Sequence, residues 1–424
     1  MGQLELNQDI LNLKESATLK INQLALKMRE KGEEVFHLGF GQSPFPVHAK
    51  IINKLKDHAH EKDYLPTLGL LSLREEIARY YQANFQYDFL PENICIGPGS
   101  KEMLFQVLFI LEGPVIIPAP SWVSYGPQVN IRGKEITTIQ TSESNKYKLK
   151  AGELIETCQK LGDGQKILIM NSPNNPTGAV YTESEIASIA KVAKENNVLI
   201  MSDEIYAQVD FSGTPKKGFY HFYPEGTLVT AGLSKSHSAG GYRMGFIATS
   251  NELNPVIKAL ASLVSETFSA VSAPIQNAAL MAYSNDADIQ KYIQACTDIH
   301  SLCGKYLSQR FNQIKITTPD PEGAFYIMPN FEFYREKLMA KGVKNSKDLC
   351  DLLLKECKVA MLPGSDFYLD ETDLKVRVAT VDYDGEKALS AYLSGEELNE
   401  EFISKYCPRL QGAMNSLESF FNKL

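Results

Sequence analysis

Short apolar runs alternate with longer stretches of helical spacing from Asn93 onward. The runs Ile94–Ile96, Val115–Pro118, Lys166–Met170, Val198–Ser202, Thr227–Gly232 and Gly245–Thr249 are continuous rather than alternating in polarity, which predicts strands covered on both faces. Helical stretches such as Glu183–Asn196 lie between several of them. That alternation predicts an α/β fold around a mostly parallel sheet, whose ligands bind beyond the carboxyl ends of its strands. Upstream, helices are expected over Asn12–Lys31 (entered through Ser16–Thr18 and closed by Gly32), His48–His60 and Gly69–Phe85. A short strand, Val35–Leu38, runs into the loop Gly39–Pro46. Beyond about residue 295 the pattern changes to a long helix, Lys291–Phe311, with strand candidates at Ile314–Thr317, Ala324–Met328 and Lys375–Ala379. This predicts a smaller α+β domain over 296–424, a large α/β domain over 48–295, and an N-terminal arm over 1–47 that joins the small domain. The stretch Gly395–Leu424 reads as an amphipathic helix with acidic faces and a structural role.

Composition narrows the class. The chain has 424 residues, 44% of them hydrophobic and 22% charged, which suits a packed core and excludes a disordered or fibrous chain. A net charge of −8 argues against a broad nucleic-acid surface. No apolar run approaches the ~18 residues that span a bilayer, and the N-terminus MGQLELNQDI lacks a signal core. The seven cysteines form no C-x-x-C pair, so reduced thiols in a cytoplasmic protein are expected. The histidines offer no H-E-x-x-H, and no metal is expected.

Three loops carry the candidate chemistry, each at the end of a predicted strand. Asn171-Ser-Pro-Asn-Asn-Pro-Thr-Gly178 is stiffened by its prolines, so its asparagine amides stand on a fixed frame; it is equally readable as a turn. In Ser202-Asp203-Glu204-Ile205-Tyr206 a carboxylate flanked by apolar strand needs a cation or donor, or else serves as a helix cap. In Gly232–Gly245, Lys235 directly follows an apolar strand and Arg243 lies past a glycine pair. An amine there, among small residues and near a second cation, is a usable nucleophile.

Together these loops resemble the class I aminotransferases. Residues 232–245 match that family's pyridoxal-phosphate attachment signature, and P-N-N-P-T-G and S-D-E-I-Y are similar to its other two hallmarks. The resemblance implies fold type I: a three-layer sandwich forming a large cofactor-binding domain, a small domain built from both chain ends, and a homodimer sharing its active sites. It implies that Lys235 is the Schiff-base lysine and proton carrier, Asp203 the partner of the pyridine nitrogen, and Tyr206 and Asn175 the donors to the ring's 3-oxygen. Trp122, the chain's only tryptophan, stands where the family stacks an aromatic ring; it also reads as core packing. The phosphate falls to Gly99, Ser100 and Lys101 at a helix start, to Arg243 and Ser234, and to Tyr64 from the neighbouring subunit. The family often has a serine where this chain has Gly232.

Arg377, in Lys375-Val-Arg-Val-Ala379, matches the arginine that clamps the substrate's α-carboxylate, and Gly41 the glycine whose backbone touches substrate. Around Gly41 the family commonly reads G-E-P-D-F, whereas this chain has Gly41-Gln-Ser-Pro-Phe45. Lys14-Glu-Ser16-Ala-Thr18 resembles a motif of bacterial aspartate aminotransferases in which the serine, the threonine and a lysine aligned with Lys101 hold a distal carboxylate. The expected activity is transamination between an L-amino acid and a 2-oxo acid, with 2-oxoglutarate as acceptor and an aspartate-type donor. The alternatives are an aromatic or neutral amino-acid aminotransferase, a pyridoxal-phosphate carbon–sulfur lyase, and a non-catalytic regulator on the same fold.

Overall fold

The computed structural model describes residues 6, 8–11, 13, 17–213 and 217–424. Ser16 lies outside the described residues, and so does the side chain of Thr18, whose backbone belongs to the helix Ala17–Glu30.

Every apolar run expected to be a strand after Asn93 in the large unit is one. From one edge the sheet runs Ile94–Gly97, Gly245–Ala248, Thr227–Gly232, Val198–Asp203, Lys166–Asn171, Val115–Ala119, Ile136–Gln140. The strand Gly245–Ala248 is antiparallel to both neighbours; the remaining pairs are parallel. Alternate residues feed two cores. Ile167, Ile169 and Met201 pack with Leu104, Val107 and Leu260 on one face, while Leu168, Met170 and Ile200 pack with Ile186, Ile189 and Leu154 on the other. Helices therefore cover both faces, and the three layers follow from the continuous apolar runs.

The seventh strand, Ile136–Gln140, is absent from the sequence expectation. It is an edge strand in which only Ile139 is buried, so it presents no apolar run. Ile314–Thr317, expected as a strand, is not one: Ile314 caps the long helix, Lys315 takes φ of +59°, and only an isolated bridge joins Thr317 to Asn330. The expected single helix over Gly395–Leu424 is two, Glu400–Tyr406 and Pro408–Phe421. Pro408 has no N–H to continue the first helix and suits the first turn of the second.

The N-terminal strand Phe36–His37 pairs in parallel with Val359–Ala360, tying the arm to the C-terminal third. A further sheet sets Val376–Ala379 between Leu362–Pro363 and Tyr326–Ile327. The long helix spans Ala287–Gln313, so residue 295, the expected domain limit, falls inside it. One apolar cluster runs from Ile96 and Phe246 in the large sheet through Ile299 and Leu307 to Val376 and Leu417. The small sheet is thereby packed firmly over one end of the large one.

Candidate active site

Parallel strands deliver their C-terminal residues to one rim of the sheet, and that rim carries the chemistry. Asn171 and Asp203 end their strands in register with each other, and Lys235 follows Thr227–Gly232. A cavity of ≈ 340 Å³ opens there, lined by Ser100, Lys101, Trp122, Asn175, Asp203, Tyr206, Ser234, Lys235, Arg243 and, from outside the large sheet, Gly41 and Arg377. The volume suits a small cofactor or metabolite. Gly99 lies behind Arg243: it adopts φ of +94°, and a Cβ on it would fall 2.4 Å from an Arg243 Nη atom. Only glycine fits that turn.

At one end the helix Ser100–Ile110 begins without a side-chain cap, and its free dipole end faces the cavity with Ser100 and Lys101. Arg243 stands over this start and donates to the carbonyls of Pro98 and Gly240, 3.0 Å each. Lys101 keeps part of its chain exposed and lays its amine 5.0 Å over the Trp122 ring. Partial burial lowers its pKa, and the charges of Arg243 and Lys235 lower it further. Gly232, the departure from the family pattern, is enforced by the fold: a Cβ there would meet the Met244 carbonyl at 2.7 Å.

In the middle, Lys235 donates to the Gly41 carbonyl at 2.8 Å and lies over the rings of Tyr206 and Phe325. Asp203 is buried; burial lifts its carboxyl to about 6, against hydrogen bonds from Tyr125 and the Ile205 N–H and the charge of Lys235. Asn171 organises the neighbourhood, its amide donating to the Asp203 carbonyl at 2.8 Å and its Oδ1 accepting from the Asn175 N–H at 2.8 Å.

At the far end Arg377 is 1% exposed and packs between the rings of Tyr326 and Phe367. It donates to the Gly39 carbonyl and, at 3.4 Å, to Asn175 Oδ1, but its buried Nε finds no partner. Among the described residues no carboxylate forms a salt bridge with it, although the charge of Asp366 acts on it from farther off. A dry guanidinium left incomplete calls for an anionic ligand. Gly41 is required by close approach, since a Cβ would fall 2.0 Å from the Tyr326 hydroxyl. Its loop is latched from behind: Ser43 meets Ser238 at 2.7 Å, and Tyr292 donates to the Pro46 carbonyl at 2.7 Å while accepting from the Ser238 hydroxyl at 2.9 Å.

Tyr64 is not brought into this cavity; it is 97% exposed on the single chain. Two further tyrosines join the site without a mark in the sequence: Tyr125, whose hydroxyl reaches Asp203, and Tyr326, whose hydroxyl meets that of Tyr206 at 2.8 Å. Tyr125 sits three residues past Trp122, and no motif marks it. Tyr326 lies within the expected strand Ala324–Met328, whose apolar run gives no sign of a site role.

An uncapped helix start beside an arginine, a central space lined by Trp122 and the Lys235 amine, and an arginine opposite with its buried Nε unpartnered fit pyridoxal phosphate with a substrate carboxylate beyond it. Comparison with known proteins agrees. The family model described as aminotransferase class I and II matches residues 33–391. An aspartate aminotransferase of Geobacillus stearothermophilus is 33% identical over 375 residues, 86% of this chain and 92% of that one. One from Bacillus subtilis strain 168 is 31% identical over 86% of this chain and 92% of its own length. In fold, the chain is similar to the aspartate aminotransferase from Thermus thermophilus with maleate, at a TM-score of 0.83 and 24% identity over 98% of this chain and 100% of that one. The chain belongs to the class I and II aminotransferases, enzymes that move an amino group between amino and 2-oxo acids with pyridoxal phosphate.

Proposed function

We propose that this aminotransferase takes a dicarboxylic amino donor of the aspartate type, with 2-oxoglutarate as acceptor, and that Lys235 and Asp203 carry its chemistry. The observation that carries the reading is Arg377, dry, ring-sandwiched and incomplete at Nε, on the cavity wall with Lys235. A planar fork of donors suits the substrate's α-carboxylate, and desolvation strengthens the pairing. Lys101 supports the choice of donor, because its amine near Trp122 offers a second positive charge for a distal carboxylate. Relatives named aspartate aminotransferase support it too.

Pyridoxal phosphate, when bound, supplies an aldehyde for an amine and a ring that takes up the electron pair left at the substrate's α-carbon. Lys235 would provide the amine that holds it and, once displaced by substrate, would carry the proton from the α-carbon. Asp203 would hold a proton on the ring nitrogen. Tyr206 and Asn175 would serve the ring's 3-oxygen as donors, and Trp122 would supply an aromatic face. Gly99, Ser100, Ser234, Lys101 and Arg243 would bind the phosphate by N–H, hydroxyl and charge. Gly41 would meet the substrate with its backbone, and the proposal gives Ser16 and Thr18 a share with Lys101 in the distal carboxylate.

The working form is a homodimer in which Tyr64 reaches the partner's phosphate; its 97% exposure supports a role outside its own chain. The seven cysteines are free and buried, which supports a reducing, cytoplasmic setting, and no helix among the described residues is long and apolar enough to cross a membrane.

A panel of amino donors against 2-oxoglutarate tests the substrate class. Aspartate or glutamate should give the highest kcat/KM, and Lys101→Ala should lower that value about tenfold more for aspartate than for alanine. An aromatic or neutral donor leading the panel rejects the dicarboxylic reading.

A further inference from the structure

Tyr125 opens the helix Tyr125–Arg132 at the end of the loop that carries Trp122. It is fully buried, and its hydroxyl donates to Oδ2 of Asp203 at 2.7 Å. The other oxygen, Oδ1, accepts the Ile205 N–H at 3.3 Å. The Tyr125 ring meets Trp122 edge-on, with centroids 5.2 Å apart and planes at 84°. One side chain therefore braces the aromatic wall of the cavity and its buried acid together.

A hydroxyl donated to a carboxylate stabilises the charged form, and its loss favours the protonated one. The charged and titratable groups acting on or with Asp203 are Tyr125, Lys235, Glu204 and Tyr206. Tyr125 and Lys235 favour the charge on Asp203; Glu204, where ionised, opposes it by like charge. Burial opposes it most strongly. Tyr125 supplies the only side-chain hydrogen bond to this carboxylate among the described residues.

We infer that Tyr125 is a positioning residue that keeps Asp203 ionised and aimed into the cavity, so that a proton shared between this carboxylate and the cofactor's ring nitrogen resides on the nitrogen. The inference rests on the reading of Asp203 as the ring-nitrogen partner. Without the phenol, the proton moves to the carboxylate. The ring then draws electrons less strongly, while Arg377 and the rest of the substrate contacts stay as they are. The effect falls on kcat rather than KM.

The test uses the full-length chain with two substitutions, Tyr125→Phe and 3-fluorotyrosine introduced at position 125. In the cofactor-free chain, titration of the Asp203 carboxyl followed by carbon-13 resonance should give a higher midpoint for Tyr125→Phe. The more acidic fluorinated phenol should give a lower one. In the cofactor-loaded chain, with the ring nitrogen labelled with nitrogen-15, Tyr125→Phe should move that resonance toward its unprotonated position. Its kcat should fall by roughly tenfold at little change in KM. Unchanged Asp203 midpoints in both substituted proteins overturn the inference. A midpoint that moves while the ring-nitrogen resonance stays put overturns instead the reading of Asp203 beneath it. If Tyr125→Phe does not fold, the fluorinated residue, nearly the same in shape, carries the test alone.

Discussion

Asp203 and Glu204 are consecutive acids at one strand end, both buried and both raised in pKa, to about 6 and about 7, with burial the leading cause. Their surroundings differ. Asp203 turns into the cavity, beside Lys235 and the Tyr125 hydroxyl. Glu204 turns into the region behind, where it accepts from Tyr87 at 3.1 Å and Ser202 at 3.0 Å. No cation among the described residues acts on Glu204. A raised pKa therefore does not separate a working acid from a structural one. The cation acting on the carboxylate and the size of the space beside it do: Asp203 faces ≈ 340 Å³ with Lys235, whereas Glu204 borders a cavity of only ≈ 40 Å³ and no cation among the described residues shifts it.

The comparison is broken most sharply by removing the amine that faces only one of the two acids. Lys235→Ala should lower kcat by at least about 10⁴-fold while the protein stays folded, measured by transamination rate and calorimetry. Next comes the acid on the cavity side: Asp203→Asn should cost about 10²–10³-fold in kcat, since it deletes the fixed charge where the ring nitrogen sits. Arg377→Lys should raise KM for the amino donor by roughly 10–100-fold, because an ammonium group cannot replace a bidentate fork.

The smallest effect on rate belongs to Glu204→Gln, which should change kcat by less than about threefold but alter the dependence of stability on pH. The folded carboxyl binds its proton up to about pH 7, whereas an unfolded one releases it near 4.5. Between those values the folded state holds more protons, so stability is greatest below the unfolded value and falls as pH rises toward 7. The loss is on the order of 3 kcal/mol. Melting temperature measured from pH 4 to 8 should decline for the native chain and decline less for Glu204→Gln, in which Asp203, raised to about 6, still contributes. A decline undiminished by the substitution would assign it to groups other than Glu204.

Much of this protein could be read along the chain. Continuous apolar runs are strands buried on both faces, and they marked six of the seven strands of the large sheet because burial on two sides leaves little room for polar residues. The three loops at their ends also stood out, since Lys235, Asp203 and Asn175 stand at or within a few residues of the ends of apolar strands. An edge strand such as Ile136–Gln140 has water on one side, tolerates threonine and glutamine, and so carries no such mark. Pro408 could have flagged the division of the last helix, but helical spacing on both sides of it hid the break.

Local order and composition decided the elements and put the reactive amine at a strand end. Only folding decided what that amine meets, Gly41 from 194 residues away, and what shares its cavity, Arg377 held between two aromatic rings with its Nε left without a partner. It also chose which of two adjacent acids would face the large cavity with Lys235 and Tyr125. Desolvation and hydrogen bonding depend on atoms brought together from distant parts of the chain, so the chemistry of Asp203, Glu204 and Arg377 exists only once the sheet rim and the small sheet have closed on each other.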